Sequence, residues 1–167
     1  MQLCFVAFMT VQLTTTAGFD LLWAARMLAA YQIAGTVTRP IWGWIADRWL
    51  TPGHTLAVHG VGMAVAAALA GYFGPGWSPW AVLGVVLLAG CTAGGYTGVA
   101  YAEYAALGGA RRTEATGLGT AVMFAAVMSI PPLFGAVVAT VGGYAPPFLA
   151  LAGLALLCTV LLLLPQR

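Results

Sequence analysis

The chain has 167 residues, 62% of them hydrophobic and 6% charged, with six arginines, no lysine and four carboxylates. A soluble domain carries about a quarter charged residues, so a globular surface facing water on all sides is excluded. The net charge of +2, spread along the chain, also excludes the basic patch that nucleic acid requires. The composition is that of an integral membrane protein.

A helix needs about 20 predominantly apolar residues to cross the hydrocarbon core, and six runs meet or approach that: residues 3–19, 21–46, 54–73, 80–105, 115–140 and 145–164. The first is short and closes on the polar stretch QLTTT. It has no basic lead-in and no small-residue cleavage site, so it does not read as a cleaved signal peptide. The breaks AGFD, DRWLTPG, GPGWSP, LGGARRTE and VGGYAPP carry glycine, proline or charge, which end helices. Connections this short make successive helices antiparallel neighbours. The expected fold is all-α, a polytopic membrane protein with one six-helix transmembrane bundle over residues 1–167 and no soluble domain.

The second run holds several chemically active side chains. Arg26 lies about 7 Å from its start at 1.5 Å per residue; it can snorkel to the interface toward Asp20 or face a cavity and attract an anion. Gln32 and Thr36 share a face at i, i+4 spacing. The run ends in RPIWGWIADRW, which gathers Arg39, Asp47 and Arg48 within eleven residues. In the third run His54 and His59 stand about 140° apart around a helix, so they do not form a metal pair.

The fourth run contains GCTAGGYTG, where Gly90, Gly94 and Gly98 at spacings of four make a groove for close helix approach. Tyr96 and Thr97 lie within it, and Glu103 near its end. Gln12 and Thr14 to Thr16 add polar groups to the first run. Polar groups at this depth bind substrate or hydrogen-bond between helices. Arg111 and Arg112 occupy the following loop, where Glu114 suits the start of a helix. In the fifth run Gly117 and Gly119 favour close packing, while Pro131 and Pro132 remove two donors and are expected to kink or break the helix. Cys4, Cys91 and Cys158 each sit in an apolar run and read as small hydrophobes. No catalytic triad, phosphate loop, paired carboxylates or cofactor motif is present, so an enzyme is not indicated.

With six spans, Arg48, Arg111, Arg112 and Arg167 fall on one side with Arg39 near it. The positive-inside rule makes that side cytoplasmic, with both termini inside.

The segment GWIADRW, after a membrane helix and opening a short loop, resembles the loop signature of the major facilitator superfamily, with Gly43, Asp47 and Arg48 matching and WLTPG replacing its basic second half. The stretches AGTVTRPIWGWIADRW, YAEYAALGGARRTEATGLGTAVMFAAV and PPLFGAVVATVGGYAPPFLALAGLALL are similar to the family's eighth, tenth to eleventh and eleventh to twelfth helices. The resemblance implies the C-terminal half of a twelve-helix transporter of a bacterial-type inner membrane, moving a small solute by alternating access, without cofactor. It also implies that the chain begins inside a seventh helix. Under it, Arg39, Gly43, Asp47, Arg48, Glu103 and Arg111, with Arg112, form a charged gate at the cytoplasmic mouth, and Arg26, Gln32, Thr36 and Tyr96 are substrate-binding candidates. The partners are the lipid bilayer, a small-molecule substrate with anions in view, and either a second six-helix half or a second copy. A non-transporting remnant or assembly partner and a homodimeric half-carrier are the alternatives. No carboxylate within the helices stands out as a proton carrier.

Overall fold

The computed structural model describes residues 1–164; Arg167, counted above for orientation, lies outside them. The regular elements among the described residues are all helical, in the order α1 (Gln2–Thr15), α2 (Leu21–Arg48), α3 (Pro52–Gly71), α4 (Pro79–Ala89), a π-helical turn (Gly90–Gly94), α5 (Thr97–Gly108), a 3₁₀ turn (Gly109–Arg111), α6 (Arg112–Val141) and α7 (Ala145–Leu163). Three stretches are long and apolar enough to cross a membrane: Pro52–Gly71, the continuous Pro79–Val141 and Ala145–Leu163. α1 is apolar but has only 14 residues.

The helix starts follow from capping chemistry. Asp20 accepts the Trp23 N–H at 2.9 Å at the start of α2. Thr51 and Ser78 accept from the His54 and Ala81 N–H groups, and each is followed by proline at the first helical position, where the missing N–H would have been unpaired anyway. Gly109 and Gly142 adopt φ of +50° and +74°, the left-handed region that glycine enters without steric cost. Gly142 closes α6 by donating to the Val138 carbonyl at 2.9 Å. Glu114 sits in the first turn of α6, but no side chain caps that helix, so its expected capping bond is absent.

Lipid supplies no hydrophobic drive between helices, so packing depends on small residues that let backbones approach. α3 and α7 form the most extensive pair. Ala57, Ala64, Ala67 and Ala70 of α3 are buried, and a Cβ on Gly60 would overlap the Thr159 hydroxyl. An aromatic cluster joins α1, α6 and α7: Phe5 to Phe148 at 5.2 Å, Phe148 to Phe134 at 4.8 Å, and Phe134 to Phe8 at 4.8 Å between ring centroids. Buried Gln12 ties α1 to the end of α3 by donating to the Ala70 carbonyl at 2.7 Å.

The break allowed for at Pro131 and Pro132 and the groove expected from Gly90, Gly94 and Gly98 both come out differently. α6 runs unbroken through Pro131 and Pro132 for 30 residues; each proline deletes its own N–H bond, and the ladder continues on both sides. The interruption falls in the fourth run instead, at the π turn and the non-helical Gly95–Tyr96 pair. The glycine groove is correspondingly different. Gly90 and Gly94 meet α2, with a Cβ on Gly94 standing 3.0 Å from the Gly35 Cα. Gly98 is exposed with nothing within 4 Å, because the break turns the following helix out of register. Gly95 takes its place, with a prospective Cβ 3.2 Å from Trp42 Cδ1. Gly117 is likewise open, whereas Gly119 lies under the Tyr104 ring.

This geometry makes Gly94→Val destabilising by about 1–3 kcal/mol, the usual range for overpacking, while Gly98→Val changes little. Thermal unfolding of the two variants in detergent, side by side, checks the contrast.

Candidate functional site

One face of α2 carries Tyr31, Gly35, Thr38, Arg39 and Trp42, at the 3–4-residue spacing that aligns side chains along a helix, and this face meets the π turn. A π turn leaves carbonyls without their ordinary i+4 donors, and at membrane depth such groups need protein partners. α2 provides them. Trp42 Nε1 donates to the Cys91 carbonyl at 2.8 Å, and Arg39 Nε donates to the Gly94 carbonyl at 3.1 Å. Thr38 gives its hydroxyl mainly to its own helix, at the Ala34 carbonyl 2.7 Å away. On the opposite side Thr92 of the turn seats against Gly62 of α3, where a Cβ would overlap its methyl group.

Beside the break lies a cavity of about 580 Å³ between α3, α5, α6 and α7. Its walls are mainly apolar and include Met63, Ile130, Leu151 and Cys158, with Gln2, Tyr96, Tyr104, His59 and Thr159 as the polar members. His59 is fully buried. Its Nδ1 lies 2.8 Å from the Thr55 carbonyl, a partner that only accepts, so Nδ1 carries the proton and Nε2 presents a lone pair. That Nε2 has no partner, nor do the buried Tyr31 hydroxyl, Thr10 hydroxyl and Gln12 Oε1. The imidazole packs against Trp42 with the rings tilted by 52° and centroids 4.3 Å apart, so Trp42 touches both the π turn and the cavity wall.

A model of the Major Facilitator Superfamily matches residues 2–167. The chain belongs to the major facilitator superfamily. Its members are membrane transporters. No curated protein and no solved structure matches the chain.

Among the eleven residues that the superfamily resemblance singled out, the structure gathers only some. Of the four binding candidates, Tyr96 alone lines the cavity. Gln32 and Thr36 do share a face, but it is exposed, and the Thr36 hydroxyl donates back to the Gln32 carbonyl at 2.9 Å. Arg26 is exposed and does not pair with Asp20, whose carboxylate is engaged as the α2 cap. Thr14, Thr15, Thr92, Thr120, Thr140 and Thr159 also return their hydroxyls to carbonyls three or four residues earlier.

The gate candidates sit at the ends of α2 and α5 without forming the expected charge network. Among the described residues the one ion pair is Arg111–Glu114, at 4.0 Å and largely exposed. Asp47 and Arg48 share a polar surface recess with Trp44 and Trp49, and Gly43 in the turn before them has nothing within 4 Å of a prospective Cβ. Glu103 folds over Gly53 at the start of α3, its Oε1 3.1 Å from where a Cβ would stand. Arg112 is exposed. Arg39 stands about 12 Å along α2 from Asp47, and its Nε is engaged by the Gly94 carbonyl.

His59, Tyr104 and Thr159 were not recognised as cavity residues. For His59 a signal existed, since a histidine inside an apolar helix is rare and commonly functional. For Tyr104 and Thr159 nothing in their local sequence marks them.

Because Asp47 has no ion-pair partner among the described residues, Asp47→Asn should leave unfolding of the purified chain unchanged within about 0.5 kcal/mol, the ordinary range for surface substitutions. Circular dichroism melting in detergent reads this directly.

Proposed function

We propose that the chain is the C-terminal half of a twelve-helix secondary active transporter for small solutes, with α1, α2, α3, α4 with α5, α6 and α7 as six membrane-crossing segments. The observation that carries this reading is the extent of the family match, from the first turn of α1 past the end of α7, with the loop signature Gly43, Asp47, Arg48 at the end of α2. A six-helix unit supplies one wall of the cavity that alternating access opens and closes between two such units. The α2 face bearing Gln32 and Thr36, exposed here, would then face the other half across that cavity.

In this reading Asp47, Arg48, Glu103, Arg111 and Arg112, with Arg39 set back from them, mark the cytoplasmic mouth of a bacterial-type inner-membrane protein with both termini inside. Asp47 and Arg48 find their counter-charges on the facing half when the mouth is shut. Individual exposed pairs contribute about 0–1 kcal/mol, so several together bias an equilibrium of a few kcal/mol. Anionic solutes are the favoured class, since Arg26 and Arg39 are the charges set back from the ends of α2.

Orientation is tested by phosphatase fusions: one after Gly76, in the α3–α4 loop, should be active outside the cytoplasm, and one after Leu50 inactive. The reverse pattern would overturn the assignment. Transport is tested with Asp47→Asn in a chain that carries both halves, where insertion should be normal and the uptake rate lower by about tenfold or more, equivalent to 1.4 kcal/mol. Purified alone in liposomes, the 167-residue chain should show no saturable uptake of small anions; saturable uptake by a dimer would instead establish a homodimeric half-carrier.

A further inference from the structure

The two helices flanking the π turn are anchored unequally. α4 buries Val82, Val85, Val86 and Ala89, whereas α5, of similar length, buries only Val99 and Ala100. α5 packs on α6 through the Tyr104 ring seated on Gly119, and α6 buries only Phe134 along its whole length. The joint between the firm half and the light half contains Gly90, Gly94 and Gly95. It also has the widened, less well bonded backbone of a π turn, a feature that recurs at functional sites. Segments with few buried contacts are the ones that open first.

Two donors from α2 hold this joint, Trp42 on the Cys91 carbonyl at 2.8 Å and Arg39 on the Gly94 carbonyl at 3.1 Å. Trp42 also packs at a tilt against buried His59. On its other side α5 faces open volume, because Tyr96, Ala100 and Tyr104 line the cavity. Movement of α5 in that direction therefore displaces no packed core.

We propose that the π turn is a hinge and that Trp42 and Arg39 are its positioning latches, fixing Tyr96 and α5 against α2 until they release and α5 swings toward the cavity. α4 stays with α2 and α3 during the swing. The role concerns how the transporter wall moves, and so rests on the proposed function for its purpose, but its geometry is measurable without any substrate.

The test uses the full 167-residue chain in lipid nanodiscs with its three cysteines replaced by alanine. Spin-label pairs are placed at exposed positions: Val65→Cys with Ala106→Cys reports α3 to α5, and Val65→Cys with Leu87→Cys reports α3 to α4. Trp42→Phe keeps an aromatic side chain and removes the indole N–H donor together with the five-membered ring. It should add a second, displaced distance population to the α3–α5 pair and leave the α3–α4 distribution unchanged. Arg39→Lys, which removes the Nε donor and keeps the charge, should act in the same direction, and it decides the matter if Trp42→Phe does not yield folded protein. Unchanged distributions in both pairs, or equal broadening of both, overturn the hinge. Unchanged uptake by Asp47→Asn in a chain that carries both halves, with these distances as expected, would count against the transport reading alone.

Discussion

A backbone carbonyl inside hydrocarbon has no water to turn to, and an unpaired one costs several kcal/mol. That constraint governs the centre of this molecule. The fourth segment gives up regular helix at Gly90–Gly94, and the carbonyls freed there are answered by Trp42 and Arg39 from α2. Contact this close is possible only because Gly35 and Gly94 bring two backbones together without side chains between them. The break, the glycines and the two donors are one arrangement, and none of the three works without the others. The placement of Tyr96, the seating of Thr92 on Gly62 and the tilted contact of His59 with Trp42 all follow from it.

The elements were readable from the sequence wherever a local rule decides them. Helical class follows from composition, and the starts of α3 and α4 follow from Thr51-Pro52 and Ser78-Pro79, where cap and proline adjoin. The interior was less readable, for physical reasons. Spacings of four put Gly90, Gly94 and Gly98 on one face only in an unbroken α-helix; a wider turn and two non-helical residues rotate Gly98 away and bring Gly95 in. Pro131 and Pro132 look like stronger breakers than three glycines, yet the break goes where a neighbouring helix offers donors. No property of residues 90–95 announces that Trp42 and Arg39, some fifty positions earlier, will be waiting.

The candidate site shows the same division. Gln32 and Thr36 do lie on a common face, as i, i+4 spacing requires, but periodicity does not say which way that face looks. The loop signature picked out charged residues near the ends of α2 and α5 without specifying who pairs with whom. Arg39 is the clearest case: grouped with the gate by its nearness in sequence to Asp47, it is two turns further along the helix and serves the π turn. Cavity residues such as Tyr104 and Thr159 come from α5 and α7, and only the packing of α3 against α7 brings them to a shared wall.

The threonines bear on how such a chain enters a bilayer at all. Thr14, Thr15, Thr36, Thr38, Thr92, Thr120, Thr140 and Thr159 each hand their proton to a carbonyl of their own helix. Their hydroxyls are therefore satisfied as soon as the local turn forms, before any second helix arrives. Each segment can leave the insertion machinery with these side chains already neutral toward lipid, and the polar groups that wait for tertiary partners reduce to a short set headed by Gln12, Trp42 and Arg39. Biogenesis thus separates into independent insertion of segments and a later docking step, and α2 is the segment whose late arrival would leave the most bonds open.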